Sequence, residues 1–202
     1  MEGKNIFKHT VEITQNTRKK LVGHKGIVVW LTGLSGAGKS TISFALEKKL
    51  LDKGCMAYCL DGDNLRFGIN ENLGFSEQDR SENIRRIGHI ARLFQDACFI
   101  VIVACISPTC NMRENAKQII GIENFLEVYV KADIKVCQKR DPKGLYKKVQ
   151  TGEIKNFTGI SAVYEKPVQP AIILDTEKMN LDNCVEYLFS EITKRIDWTD
   201  NK

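Results

Sequence analysis

Continuous apolar runs alternate with amphipathic stretches along most of the chain. The runs at 27–31 and 99–106 are apolar at every position, which is typical of central parallel strands covered on both faces. Shorter runs predict further strands at 56–60, 125–130 and 171–174. Helical patterns predict helices at 38–53, 76–97, 111–119, 133–140 and 181–196. The alternation predicts one α/β domain with a doubly wound, mostly parallel sheet and helices on both faces.

Residues 1–24 lack this periodicity, and we interpret them as an N-terminal arm before a domain at 25–202. The arm has neither the apolar core of a secretion signal nor the acid-free, arginine-rich pattern of a transit peptide. The seven cysteines form no C-x-x-C pair, which favours free thiols in a reducing compartment. We therefore expect a cytoplasmic protein, and import into a mitochondrion-related organelle stays open. No apolar run reaches the length of about 18 residues that spans a membrane, so we expect no membrane partner.

The segment after the first predicted strand, from Gly33 to Ser40, has the sequence GLSGAGKS and matches the phosphate-loop pattern G-x-x-x-x-G-K-[ST]. Its glycines allow successive backbone N–H groups to surround a phosphate closely. Lys39 would bring positive charge to the β- and γ-phosphates, and Ser40 would offer its hydroxyl to Mg²⁺. The Lys-Ser pair disfavours the alternative of a glycine-rich turn that binds nothing. The candidate ATP-binding residues of this segment are Gly33, Ser35, Gly36, Ala37, Gly38, Lys39, Ser40 and Thr41.

Two carboxylates, Asp61 and Asp63, follow the second predicted strand. Ligands of open parallel sheets bind at the carboxyl ends of the strands, which is where these residues fall. The pair could hold hydrated Mg²⁺ together with Ser40, and could accept a proton from an attacking hydroxyl. An Asx turn without chemistry is the alternative, and the neighbouring phosphate loop makes it less favoured.

The helix predicted at 76–97 has an apolar face that continues towards its N-terminus into Arg80 and Asn83. Polar groups on a buried stripe beside a ligand crevice are better explained by a ligand than by solvent. The net charge of +5 is located within 131–166, which contains nine Lys and Arg residues and four Asp and Glu residues. We interpret about 140–166 as a basic, mobile lid for an anionic ligand, with an ordinary solvated loop as the alternative. This localised charge does not suggest a nucleic-acid surface.

Several motifs, in order, resemble those of the adenylyl-sulfate kinase family. These are Thr32-Gly-Leu-Ser-Gly-Ala-Gly-Lys-Ser40, Leu60-Asp-Gly-Asp-Asn-Leu-Arg66, Asn72-Leu-Gly-Phe-Ser76, Asp79-Arg80, Glu82-Asn83-Ile-Arg85-Arg86, Ile106-Ser-Pro108, Arg140-Asp141, Lys143-Gly-Leu-Tyr146 and Phe157-Thr-Gly-Ile160. The resemblance implies the P-loop containing nucleoside triphosphate hydrolase-like fold. It also implies a role in sulfate activation: MgATP phosphorylates the 3′-hydroxyl of adenosine 5′-phosphosulfate, which yields 3′-phosphoadenosine 5′-phosphosulfate and ADP.

The resemblance also implies roles for individual residues. The implied sulfonucleotide-binding residues are Asp63, Asn64, Arg66, Phe75, Arg80, Asn83, Ile106, Ser107, Lys143 and Phe157. Phe75 and Phe157 would sandwich the adenine, and Arg66 and Arg80 would hold the phosphosulfate. Arg140 would contact the adenine of ATP. Family members are often dimers, so a homodimer is expected.

Three residues are expected to take part in catalysis. Lys39 would stabilise the transferred phosphoryl group, and Asp63 would deprotonate the 3′-hydroxyl. The serine equivalent to Ser107 has been assigned in the family as a phosphorylated intermediate. We expect instead that Ser107 positions the substrate, because its local sequence offers no base.

Two rival functions remain at this point. One is a nucleoside monophosphate or other small-metabolite kinase of the same fold, which the motifs at 75–83 and 157–160 disfavour. The other is a nucleotide-binding switch or an inactive regulatory subunit, which the retention of Lys39, Ser40, Asp61 and Asp63 disfavours.

Overall fold

Five parallel strands form one sheet in the computed structural model, which describes residues 7, 9 and 12–198. The strands are β1 Ile27–Thr32, β2 Ala57–Asp61, β3 Ile100–Ala104, β4 Phe125–Lys131 and β5 Ile172–Asp175. Their order across the sheet is β2-β3-β1-β4-β5, and every pairing is parallel. The chain therefore winds from the central strand β1 in both directions, which confirms the predicted doubly wound sheet.

Seven α-helices are found among the described residues. They are α1 Gln15–Val22, α2 Lys39–Asp52, α3 Glu77–Asp96, α4 Cys110–Ile120, α5 Ile134–Arg140, α6 Leu145–Gln150 and α7 Leu181–Thr193. Apolar side chains of α2 and α7 pack on one face of the sheet, and those of α3 and α4 pack on the other. None of the described helices is long and apolar enough to cross a membrane. Six cysteines are free thiols, as predicted, namely Cys59, Cys98, Cys105, Cys110, Cys137 and Cys184.

The central strand β1 shows why its sequence is apolar throughout. Val29 and Leu31 join the core on the α2 and α7 side, whereas Val28 and Trp30 join the core on the α3 and α4 side. Each of these side chains is fully buried. A strand that supplies two cores cannot alternate apolar and polar residues, so its sequence is a continuous apolar run.

Helix α1 was not predicted from the sequence. None of its residues is buried, and its contacts with the domain are polar. The Gln15 side chain donates to the Gln95 carbonyl at 3.1 Å, and Arg18 forms an ion pair with Asp96 at 2.9 Å. A helix held by polar contacts leaves no apolar period in the sequence. The domain boundary after residue 24 stays a prediction.

The segment 140–166, predicted as a basic, mobile lid, contains buried residues that its charge did not reveal. It contains helix α6, and the side chains of Tyr146, Phe157 and Thr158 are buried. The Tyr146 hydroxyl donates to the Ser35 carbonyl at 2.9 Å. Gly159 has a φ of +91°, and a Cβ there would lie 2.6 Å from a Leu34 methyl group. The segment therefore lies against the phosphate loop, and we call 140–166 the lid.

Candidate active site

A cleft of about 1570 Å³ opens at the carboxyl ends of the strands. The phosphate loop, the segment after β2, the start of α3, the end of β3 and the lid all contribute to its walls. Apart from Gly33, every site residue predicted from the sequence lines this cleft. The structure thus brings the candidate ATP residues and the candidate sulfonucleotide residues into one space, although their individual roles stay predictions.

Two glycines shape the phosphate loop at points where a side chain would not fit. Gly33 lies beneath the loop, where a Cβ would come within 2.4 Å of the Val130 carbonyl oxygen. Gly36 has a φ of +76°, and a Cβ there would lie 3.0 Å from the Cys137 carbonyl oxygen. The loop can therefore pack against β4 and α5 and still turn its N–H groups towards a ligand.

Lys39 is held inside the loop that it follows. Its side-chain amine donates to the carbonyl oxygens of Gly33 at 2.9 Å and Leu34 at 2.8 Å, and the residue is only 8% exposed. Burial lowers the pKa of Lys39 to about 8, because the charged form loses its hydration. A phosphate in the loop would favour the charged form again, so ligand binding and protonation of Lys39 are coupled.

Ser40 and Asp61 form the part of the site that suits a magnesium ion. The Ser40 hydroxyl donates to Asp61 Oδ2 at 2.7 Å, and Asp61 Oδ1 accepts from the backbone N–H groups of Asp63 and Asn64. Hydroxyl and carboxylate oxygens are the ligands that Mg²⁺ prefers, usually alongside waters and substrate phosphates. The described residues contain no cluster of three or more His, Cys, Asp or Glu side chains that could hold a metal. These oxygens therefore fit a magnesium ion that shares its coordination with nucleotide phosphates.

Asp63 differs from Asp61 in exposure. Its carboxylate is 62% exposed and pairs with Lys143, which the lid contributes. The Asp61 carboxylate is instead buried and occupied by backbone and hydroxyl donors. Of the two, Asp63 is the carboxylate that an incoming hydroxyl group can reach.

Two arginines from the segment after β2 and from the start of α3 line the cleft. The Arg66 guanidinium lies 4.3 Å from the centre of the Phe75 ring and donates to the carbonyls of Leu73 and Gly74. Arg80 reaches across to the lid, where it donates to the Asn156 carbonyl at 2.7 Å and to the Thr158 hydroxyl. Partial burial lowers the pKa of both arginines from a very high ordinary value, so both keep their charge.

The two phenylalanines of the predicted adenine site differ in burial. Phe75 is 61% exposed on the wall of the cleft. Phe157 is buried and packs edge to face against Tyr146, with ring centres 4.9 Å apart. Both line the cleft. An adenine between them remains a prediction.

Ser107 is buried at the end of β3 with a φ of +41°. Its hydroxyl accepts a hydrogen bond from the Trp30 indole at 3.1 Å, and no carboxylate among the described residues bonds to it. A serine without a neighbouring base is a weak nucleophile. The positioning role of Ser107 stays a prediction.

Arg113 is a residue near the site that the sequence reasoning missed. It is buried, forms an ion pair with Glu127 at 2.8 Å, and donates to the carbonyls of Ser107 at 2.8 Å and Glu165 at 2.9 Å. It therefore ties the end of β3 to the end of the lid. The burial of Arg113 could have been inferred from the sequence, because Arg113 lies at helical spacing from the buried residues Ala116 and Ile120.

Arg140 is linked to the phosphate loop by Thr176, a residue that the sequence reasoning did not single out. Arg140 donates to the Thr176 carbonyl at 2.8 Å and to its hydroxyl at 3.0 Å. The Thr176 hydroxyl in turn donates to the Ala37 carbonyl at 3.0 Å. The Arg140 guanidinium therefore lies at the phosphate-loop end of the cleft.

The protein has a doubly wound parallel sheet with a phosphate loop after its central strand. An accessible carboxylate lines the same cleft as that loop. Together these features define the protein as a P-loop kinase. The chain matches the family model described as adenylylsulphate kinase over residues 25–175, and it belongs to that family.

Known members of the family are similar to this chain over most of its length. The adenylyl-sulfate kinase of Staphylococcus carnosus is 53% identical over 188 residues, which cover 93% of this chain and 94% of the relative. The structure of the Mycobacterium tuberculosis APS kinase CysC in complex with AMPPNP and APS has a TM-score of 0.81 at 43% identity, covering 83% of this chain and 98% of that one. A hexameric APS kinase from Thiobacillus denitrificans has a TM-score of 0.66 at 29% identity, covering 89% of this chain and 30% of that one.

Proposed function

We propose that the chain transfers the γ-phosphoryl group of ATP to the 3′-hydroxyl of adenosine 5′-phosphosulfate (APS), and releases ADP and 3′-phosphoadenosine 5′-phosphosulfate. One observation carries this proposal: the phosphate loop and the two arginines Arg66 and Arg80 line a single cleft. The relative from M. tuberculosis, whose structure contains AMPPNP and APS, is consistent with two nucleotides in such a cleft.

On the ATP side, the phosphate loop and Lys39 hold the β- and γ-phosphates. Mg²⁺, held by Ser40 and Asp61 with a contribution from Asp63, would neutralise charge that develops on the phosphates. Lys39 lies in a buried position, where its charge acts on the transferred group with little screening by water. Arg140 would cover the adenine.

On the acceptor side, Asp63 orients the 3′-hydroxyl and takes its proton as the oxygen attacks the γ-phosphorus in line. Asp63 is paired with Lys143 in the structure described here, so the lysine must move aside or stay hydrogen-bonded as the hydroxyl approaches. Arg66 and Arg80 hold the phosphosulfate, and Phe75 and Phe157 bind the adenine by stacking.

A substrate panel separates this function from that of a related small-metabolite kinase. We expect kcat/KM for APS to exceed the values for AMP and the other nucleoside monophosphates by at least a hundredfold, because AMP lacks the sulfate that the arginines recognise. A nucleoside monophosphate that is phosphorylated as efficiently as APS would contradict the proposal.

Replacing Arg80 with alanine should raise KM for APS about tenfold to a hundredfold, since hydrogen bonds to charged groups contribute about 1.5–3 kcal/mol. KM for ATP should change much less, because Arg80 lies on α3 and not in the phosphate loop. Arg85→Ala is the matched control, since Arg85 is an exposed residue of the same helix that lies outside the cleft and bonds to Glu82. An equal rise in both KM values would place Arg80 outside the sulfonucleotide site.

Ser107→Ala should retain activity at about a tenth of the wild-type rate, because it loses roughly one net hydrogen bond worth about 1 kcal/mol or slightly more. Steady-state turnover and mass spectrometry of the enzyme during turnover measure this directly. A phosphoserine at position 107 that forms and decays at the rate of turnover, together with an inactive alanine variant, would establish a covalent intermediate instead.

Two further properties belong to the proposal. We propose a homodimer, supported by the family resemblance, and a cytoplasmic location, supported by the free cysteines and the composition of the N-terminal arm. Light scattering of the purified protein tests the first, and imaging of the tagged full-length chain tests the second.

A further inference from the structure

Asn70 is a fully buried polar residue in the turn that follows β2. Its backbone N–H donates to the Leu65 carbonyl and its carbonyl accepts from the Leu73 N–H, so it is fixed within the segment that carries Asn64 and Arg66. Its side-chain NH₂ group donates to Asn83 Oδ1 on α3 at 3.0 Å. Asn70 does not line the cleft, whereas Asn83 does.

The oxygen of the Asn70 amide, Oδ1, differs from its NH₂ group in its hydrogen bonding. Asn70 Oδ1 is buried and has no hydrogen-bond partner among the described residues. A buried acceptor without a partner is costly, and such groups occur in native proteins where another constraint outweighs the cost. The donation to Asn83 uses the NH₂ half of the Asn70 amide and leaves Oδ1 as its unpaired half.

This donation determines which half of the Asn83 amide is free. Asn83 Oδ1 is occupied by Asn70, and the Asn83 NH₂ group has no acceptor among the described residues. Asn83 is nearly buried and borders the cleft. The free half of its amide is therefore a hydrogen-bond donor at the wall where the sulfonucleotide is proposed to bind.

We propose that Asn70 is a positioning residue that fixes the Asn83 amide so that its NH₂ group donates to an acceptor atom of APS. The inference rests on the proposed substrate site and adds to it a residue that does not touch the substrate. The Asn83 amide has two orientations, which present either its NH₂ donor or its oxygen acceptor to the cleft, and Asn70 selects the first. Asn70 therefore affects the recognition of APS and not that of ATP.

Asn70→Asp tests the proposal because it keeps the size of the side chain and removes its donor. The Asn83 NH₂ group would turn towards the aspartate, and Asn83 Oδ1 would then face the substrate acceptor. We expect KM for APS to rise at least tenfold above wild type and KM for ATP to stay within twofold.

Three more variants make the result decisive. Asn72→Asp is the matched control, because Asn72 lies in the same turn and also reaches α3, through Arg86, but is exposed and outside the cleft. It should leave both KM values unchanged. Asn83→Ala is the reference variant, and an unchanged KM for APS there would mean that the proposed substrate site is wrong. Asn70→Ala should raise KM for APS severalfold, and it gives the test if Asn70→Asp does not fold.

The KM values of the Asn70 and Asn83 variants separate a failure of this inference from a failure of the proposed substrate site. A selective rise in KM for APS in the Asn70 variants, alongside a rise in Asn83→Ala, supports the inference. If Asn83→Ala raises KM for APS while the Asn70 variants leave it within twofold of wild type, the inference is overturned and the substrate site stands. Equal increases in both KM values of the Asn70 variants would also overturn it, because they would indicate a purely structural link between the turn and α3.

Discussion

Replacing Asp63 with asparagine should lower kcat by roughly a hundredfold to ten-thousandfold, which is the range that a positioned general base contributes. The amide keeps the shape of the side chain but cannot accept the proton of the 3′-hydroxyl. The carboxylate is largely exposed and its ion pair with Lys143 lies at the surface, so its removal should scarcely affect folding. Single-turnover kinetics and equilibrium binding of APS should show slow chemistry with affinity largely retained.

Asp61→Asn is the comparison that isolates the role of Asp63. Asp61 accepts hydrogen bonds from Ser40 and from two backbone N–H groups, and we propose that it holds Mg²⁺. Its loss of activity should be partly relieved by high Mg²⁺, and to a clearly greater extent than that of Asp63→Asn, whose main defect is the missing proton acceptor. The same dependence on Mg²⁺ in both variants would contradict this division of roles.

Lys39→Ala should lower kcat by roughly a hundredfold or more, because it removes a buried positive charge that interacts most strongly with the transition state. Lys39 also donates to two carbonyls of its own loop, so thermal unfolding must be measured beside turnover. Lys48→Ala is the control on the same helix, since Lys48 forms only an exposed pair with Asp52. A Lys39→Ala variant that folds and keeps near wild-type turnover would show that the phosphate loop is not the catalytic ATP site.

The sheet could be predicted because its central strands are buried on both faces. Residues 27–31 supply two cores at once, so the run had to be apolar, and the phosphate loop that follows fixed the position of the nucleotide site. Asp61 and Asp63 could be placed in the site because the ends of parallel strands share one edge of the sheet. Their different exposure could not be predicted, since it depends on Ser40 and on the lid.

The remaining features depend on contacts between residues distant in sequence. Helix α1 is held by polar contacts and has no buried residue, so apolar periodicity could not reveal it. The lid was identified by its basic charge, which gave no sign that Tyr146 packs into the core and bonds to the phosphate loop. Arg113 and Asn70 are polar residues that become buried only because partners from other segments satisfy them or use their donors.

The central claim is most directly tested by the dependence of ADP release on APS. Purified protein with MgATP should release ADP at a low basal rate, and APS should raise that rate at least a hundredfold. The nucleotide product should carry its new phosphate on the 3′-oxygen, as phosphorus NMR can determine. ADP release that is unaffected by APS, or a product phosphorylated at another position, would contradict the assignment of the cleft as an APS kinase site.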